Sequence, residues 1–256
     1  VPLLDSTILS TINKKLTETF GNEFKEVIIG GAALNPEAEE FFKKIGFRFT
    51  VGYGMTECAP LISHAFWDEF KLHSVGKVLP TMEAKILSND PQNEVGEILV
   101  RGENVMLGYY KNEEATRLAI DEDGWLHTGD MGTMDYDGTI YIKGRNKNML
   151  LGPSGQNIYP EEIENKLNNM PFVLESLVLQ NAENKLVALV VPDYDAMDEA
   201  KLTTKDLELV MEENRKALNE TTAAYESITK IQIYPSEFEK TPKKSIKRFL
   251  YVNQLK

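Results

Sequence analysis

Apolar positions along the chain change period several times, and each change marks an element. Ile8, Ile12 and Leu16 recur at i, i+4 and i+8, which predicts a helix capped at Asp5 or Ser6 and closed by Gly21. Glu26–Gly30 reads as a buried strand. Asn35 caps the next helix, Pro36 takes its first position, Gly46 ends it, and Phe47–Val51 is a second strand. Together these make a βαβ unit, expected to be parallel and right-handed. From about Ser74 the texture becomes short alternating strands: Met82–Leu87, Glu97–Arg101, Gly132–Met134 and Thr139–Lys143. The last two are joined by the hairpin turn Asp135–Gly138, and one helix interrupts the series near Asn112–Ile120. A further change follows Gly144 and Arg145. A helix opens at Pro160 with Ile163 and Leu167 on one face, and strands follow at Leu174–Gln180 and Lys185–Val191. A helix over Thr204–Asn219 and a strand over Lys230–Tyr234 complete the pattern.

The expected architecture is therefore an α/β and α+β multidomain chain. A βαβ unit (1–65) leads into a β-rich, distorted barrel (66–145), and a small α+β domain (146–256) follows, with the boundary at Arg145–Lys147.

Charge narrows the partners. Forty acidic against 28 basic residues give a formal charge of −12, which argues against general binding to nucleic acid or to an anionic membrane. Any anionic ligand must meet a local basic cluster, and Lys240, Lys243, Lys244, Lys247 and Arg248 form one; the ordinary fate of such a run is a solvated tail. The single Cys58 rules out an internal disulfide framework and suits a reducing cytoplasm. His64, His73 and His127 show no metal-ligand spacing with each other or with Cys58. The longest apolar run, Leu186–Val191, falls far short of the ~20 residues of a membrane span, so any membrane contact is expected to be peripheral. The chain begins at Val1 without a Met, so a signal sequence cannot be judged.

Chemistry concentrates in Gly52, Tyr53, Gly54, Met55, Thr56 and Glu57, directly after the second strand. A nucleotide site needs an aromatic ring, backbone that a ligand can approach closely, a hydroxyl for a phosphate oxygen and a carboxylate for Mg²⁺. The plainer alternative is a strand followed by a Gly-rich turn. This segment and Gly30–Ala33 both leave the carboxyl ends of the βαβ strands, the edge at which open α/β sheets bind ligands. Asp130, after Thr128 and Gly129, could accept two ribose hydroxyls or be an acidic turn residue. Arg145, at the end of a strand, could reach ribose or phosphate with its fork of donors, or form a surface ion pair.

In this order, Gly30–Leu34, Tyr53–Glu57, Gly96–Ile98, Gly108–Tyr110, Thr128–Asp130 and Gly144–Arg145 resemble the motifs of the adenylate-forming superfamily, and most nearly its AMP-dependent long-chain fatty acid–CoA ligases. The resemblance runs from Glu26 to the C-terminus. It implies that Gly31, Ala32 and Ala33 line the adenine and acyl pocket and that Tyr53, beside Gly54 and Met55, stacks on adenine. Thr56 would hold the AMP phosphate, Glu57 would ligate Mg²⁺, and Asp130 and Arg145 would contact ribose. Lys147 would mark the hinge of a mobile C-terminal lid, and Gly155 would flank a pantetheine tunnel. The implied substrates are a fatty acid, ATP and coenzyme A. The implied chemistry is acyl-AMP formation with release of pyrophosphate, then acyl transfer to the CoA thiol.

Two departures qualify what the resemblance implies. The family's Ser/Thr/Gly-rich phosphate loop has no counterpart here, so the chain is expected to be the C-terminal part of a larger enzyme, weakly active or inactive alone. Ser245 falls where the family places its catalytic lysine. Lys244 is favoured for that role; Lys247, or an impaired lid, are the alternatives. Other readings are a ligase that loads an acyl carrier protein and a non-catalytic nucleotide-binding fragment.

Overall fold

The computed structural model describes residues 2–242, 245–252 and 254. It divides into two compact units, Val1–Asn146 and Lys147–Lys256.

In the first unit, helix α1 (Pro2–Thr19) is followed by β1 (Val27–Ile29), α2 (Pro36–Ile45) and β2 (Phe49–Val51). The α1 helix starts before Asp5 and Ser6, so these lie inside its first turns and not at a cap. Its packed stripe is also rotated from the expected one. Ile8 is 51% exposed, whereas Leu9 and Leu16 pack on the core and Asn13 donates to Ile45 O at 2.7 Å. A polar residue holds the inner face because it satisfies a carbonyl at the end of α2. The α2 caps are as the sequence predicts. The Asn35 side chain accepts from the amides of Glu37 and Ala38, Pro36 is the first residue, and Gly46 closes the helix. Strands β1 and β2 pair in parallel, Val27 with Phe49 through Ile29 with Val51. Phe47, Phe49 and Val51 are buried with Ile45 and Phe70, but Ile28 is 57% exposed, so β1 is covered on one side only and is not the buried strand expected.

The β-rich part contains β3 (Tyr53–Gly54), β4 (Leu61–His64), β5 (Lys77–Val78), β6 (Met82–Leu87), β7 (Gly96–Gly102), α3 (Glu113–Ala119), β8 (Leu126–Met134) and β9 (Ile140–Arg145). These strands form two open sheets, ordered β3-β4-β5 and β6-β7-β8-β9, and among the described residues no pairing closes them into a barrel. Backbone hydrogen bonds link the two sheets. Val75 donates to Ile140 O, Ile140 to Gly76 O and Val78 to Gly138 O, which sets β5 against the start of β9. Ile62, Ile98, Val100, Leu126 and Ile140 fill the core between them. The Asp135–Gly138 turn forms as predicted, with Gly138 donating to Asp135 O and Asp135 to Thr139 O. β8 starts six residues earlier than its alternation suggested, because Thr128–Asp130 breaks the period there.

The second unit carries β10 (Leu150–Leu151), β11 (Asn157–Ile158), α4 (Pro160–Leu167), β12 (Val173–Gln180), β13 (Leu186–Pro192), α5 (Tyr194–Glu199), α6 (Thr204–Thr221) and β14 (Ile228–Ile233). Its sheet is ordered β12-β13-β14, antiparallel and then parallel. Period-2 alternation splits the strands between two cores. Val178, Ala188 and Val190 pack with Ile163 and Leu167 of α4 and with Leu207 and Leu218 of α6. Leu177, Leu179, Leu189 and Val191 face the other way, onto Phe238 and Tyr251 from the C-terminal segment. Every residue of β13 is therefore buried, as its unbroken apolar run predicts.

That segment is not the solvated tail its charges suggest. The Lys240 ammonium pairs with Glu175, and the Arg248 guanidinium pairs with Glu164, with side chains 28% and 16% exposed. Glu164 also accepts the Val178 amide at 2.6 Å, and Arg248 donates to Val178 O at 3.2 Å. Burial pushes the Glu164 carboxyl up to about 7, while Arg248 and the Val178 amide pull it down.

Candidate functional site

β2 ends at Val51, and the Gly52 amide donates to Ile29 O at 2.9 Å, which keeps the chain alongside β1 before it turns into β3. A Cβ placed on Gly30 would lie 3.3 Å from Gly52 O, so the exposed Gly31–Ala33 loop leaves the sheet beside the Gly52–Glu57 segment. Gly54 is required for its size. A Cβ there would meet Pro60 O at 2.3 Å, because the loop closes on itself through the Met55 amide and Pro60 O at 2.8 Å. Thr56–Cys58 form a single 3-10 turn that leaves Thr56 exposed.

Three side chains from three strands converge here. The Tyr53 hydroxyl donates to Asp130 Oδ2 at 2.7 Å. Arg145 Nε lies 2.8 Å from Asp130 Oδ1, consistent with the direct pairing of Asp130 and Arg145 across β8 and β9. Asp130 is 5% exposed, whereas the Arg145 side chain is 48% exposed. Tyr53 is only 7% exposed and its ring packs in the core. The open aromatic platform expected from the sequence is thus not what the fold presents: the ring is a wall, and its hydroxyl holds Asp130. Burial, and after it the Asp130 charge, pushes the Tyr53 phenol well above its ordinary range, which keeps it protonated and donating.

The neighbouring turn is clamped from outside. Asn104 Nδ2 donates to Cys58 O at 2.7 Å and to Leu61 O at 2.8 Å, and the Met106 amide donates to Glu57 O at 2.7 Å. The Tyr109 hydroxyl donates to Glu57 Oε1 at 3.0 Å. Met55 packs against the core. Burial, then the Glu57 charge, pushes the Cys58 thiol up to about 11, so it is an inert core group. Among the described residues no three His, Cys, Asp or Glu side chains gather as a cation cage. Mg²⁺ is held by one or two carboxylates together with ligand phosphates and water, and a lone Glu57 beside an exposed Thr56 fits that donor set.

The remaining expected site residues belong to the second unit. Gly155 sits in an exposed turn with φ +81°, its amide donating to Gly152 O at 3.0 Å. Lys147 is exposed in the 3-10 turn Asn146–Asn148. Lys244 lies outside the described residues. Its alternative, Lys247, places Nζ 3.3 Å from Glu239 Oε2.

Sequence reading missed two residues that clamp the turn, Asn104 and Tyr109. Tyr109 stands within a motif singled out from the sequence, yet nothing in the spacing says which atom it holds.

Comparison with known proteins bears on the whole chain. Residues 3–110 match the AMP-binding enzyme model and residues 148–256 the AMP-binding enzyme C-terminal domain. The long-chain-fatty-acid–CoA ligase FadD15 of Mycobacterium tuberculosis is 30% identical over 256 residues, covering 93% of this chain and 42% of the relative. The putative acyl-CoA synthetase YngI of Bacillus subtilis is 34% identical over 234 residues, covering 87% of this chain and 41% of the relative. The chain thus spans less than half the length of these curated relatives. Among solved structures, o-succinylbenzoate CoA synthetase (MenE) of Bacillus subtilis, in complex with its acyl-adenylate intermediate, superposes with a TM-score of 0.76 at 26% identity; the match covers 94% of this chain and 49% of that one. ATP-bound MatB of Rhodopseudomonas palustris gives 0.73 at 26% identity, over 91% and 46%. On these matches, and with Tyr53–Glu57, Asp130 and Arg145 arranged as described, the chain belongs to the adenylate-forming AMP-binding enzyme family.

Proposed function

We propose that this chain supplies the nucleoside wall and the mobile C-terminal domain of an ATP- and CoA-dependent fatty acid ligase. The convergence of Tyr53 and Arg145 on the buried Asp130 carries the reading. A buried carboxylate oriented by Tyr53 and Arg145 has the acceptor chemistry that the two vicinal hydroxyls of a ribose need. The exposed Arg145 adds donors at the same edge. Gly31–Ala33 and the Tyr53–Gly54 edge form the wall for adenine, and the Thr56 hydroxyl donates to the α-phosphate.

In the proposed reaction a fatty acid carboxylate oxygen attacks the α-phosphorus of ATP and pyrophosphate leaves; the CoA thiol, giving up its proton, then attacks the acyl carbonyl and AMP leaves. Mg²⁺, held by Glu57, would neutralise phosphate charge in the first step. The chain's own residues bind and orient: Asp130 and Arg145 fix the ribose, and Tyr53 fixes Asp130. Lys244 is assigned from the sequence as the cation of adenylation, and residues 146–256 as the lid that exchanges it for a thiol channel bordered by Gly155. Long-chain relatives support a fatty acyl substrate.

Binding of a non-hydrolysable palmitoyl-adenylate analogue tests the reading. Wild-type chain is expected to bind it, and Asp130→Asn, which preserves shape and removes the charge, to bind at least about tenfold more weakly. No binding, or equal binding by both, would remove the nucleoside role.

A further inference from the structure

The motif Gly96–Ile98 has no place in the site described so far, yet its carboxylate sits behind Asp130. β7 and β8 do not pair regularly. Glu97 faces Met131 and Leu99 faces His127, so an advance of two residues on β7 is matched by four on β8. The excess is taken up by Thr128, Gly129 and Asp130. Gly129 has φ +72°, a left-handed conformation that an L side chain adopts only with strain.

A bulge exposes ladder groups to be satisfied in another way, and here they are. The Thr128 hydroxyl donates to Ile98 O at 2.7 Å and accepts the Asp130 amide at 3.1 Å. Glu97 Oε1 accepts the Gly129 amide at 3.0 Å, and Glu97 Oε2 lies 2.9 Å from His127 Nδ1. His127 Nε2 in turn lies 4.0 Å from Asp121 Oδ2. The Glu97 side chain is 15% exposed, so its carboxylate is a near-buried brace that spans the bulge from His127, at its start, to Gly129, next to Asp130.

We propose that Glu97 is a positioning residue for nucleoside binding: it fixes the backbone of the Thr128–Asp130 bulge so that the Asp130 carboxylate is held at the ribose. This rests on the ribose role proposed for Asp130. It concerns the two hydroxyls and nothing else on the nucleotide, so it has a signature that a general loss of stability lacks.

The test compares AMP with 2′,3′-dideoxy-AMP by calorimetry on the whole chain. Wild type is expected to prefer AMP. Glu97→Ala is expected to lose about tenfold in AMP affinity, the order of effect that a small misplacement of a binding group produces, with dideoxy-AMP changed by less than about twofold. Glu97→Gln retains a carbonyl acceptor for the Gly129 amide and is expected to restore most of the preference. Equal loss for both ligands in Glu97→Ala, or undiminished AMP affinity, overturns the positioning role. If Glu97→Ala does not fold, His127→Ala carries the test, with a loss of preference of about threefold expected on release of one carboxylate oxygen; an unchanged preference overturns the proposal. A wild-type chain indifferent to the ribose hydroxyls would instead remove the Asp130 reading itself.

Discussion

At the scale of single residues, Tyr53 matters as a donor more than as a ring. Its hydroxyl, together with Arg145, fixes the Asp130 carboxylate, and Tyr53 and Asp130 are buried together on one side of the site. Tyr53→Phe keeps the packing and removes one hydrogen bond to a charged acceptor, worth about 1.5 kcal/mol of stability. AMP affinity is expected to fall by about fivefold, because Asp130 then loses one of the groups that hold it; unchanged affinity in a titration would show that the remaining contacts, Arg145 among them, suffice. The sequence makes Tyr53, Thr56, Glu57, Asp130 and Arg145 legible as chemistry, because a ring, a hydroxyl, two carboxylates and a guanidinium are unusual companions for strand ends. What it does not disclose is direction. The same tyrosine serves as an open stacking face or as a covered wall, and only the burial of its ring by distant strands decides between them.

At the scale of elements, local signals were sufficient wherever the local chemistry closes on itself. Asn35, Pro36 and Gly46 bound α2 with groups no more than a few residues away, and the all-apolar β13 could only be a buried strand. Elements defined by remote partners were illegible. The stripe on α1 follows Asn13 because of a carbonyl at Ile45, and the bulge in β8 depends on a carboxylate in β7. The C-terminal charges follow the same rule, since Arg248 is set by Glu164, 84 residues earlier. That pair makes a pH-dependent element. The folded state holds the Glu164 proton more tightly than an ordinary glutamate at 4.5 does, up to about 7. Its contribution to stability is therefore fully present below 4.5, declines as pH rises from 4.5 to 7, and is flat above. Glu164→Gln is expected to remove this slope, so that denaturation midpoints of variant and wild type change with respect to each other between pH 4.5 and 7 and not above. Parallel profiles across that range would show that Arg248 keeps the carboxylate ionised throughout.

At the scale of the whole molecule, the two units own separate cores, one around Ile62, Ile98 and Ile140, the other around Ile163, Leu189 and Leu207. Cores that share no residues unfold on their own schedules. Calorimetry is expected to resolve two transitions, with AMP raising only the one that belongs to Val1–Asn146. A single transition that moves as a whole would show that the cores melt together. The bulge at Thr128–Asp130 has a consequence at this scale too. Cut two residues from it and β8 runs on against β7 in plain register, its inward side chains still in place. The product would be a blank: the same meander and the same core, without the carboxylate proposed to hold the ribose. On the role proposed for Asp130, the capacity to hold a nucleoside rests on a short bulge in a scaffold that does not need it, gained or erased without redrawing the fold.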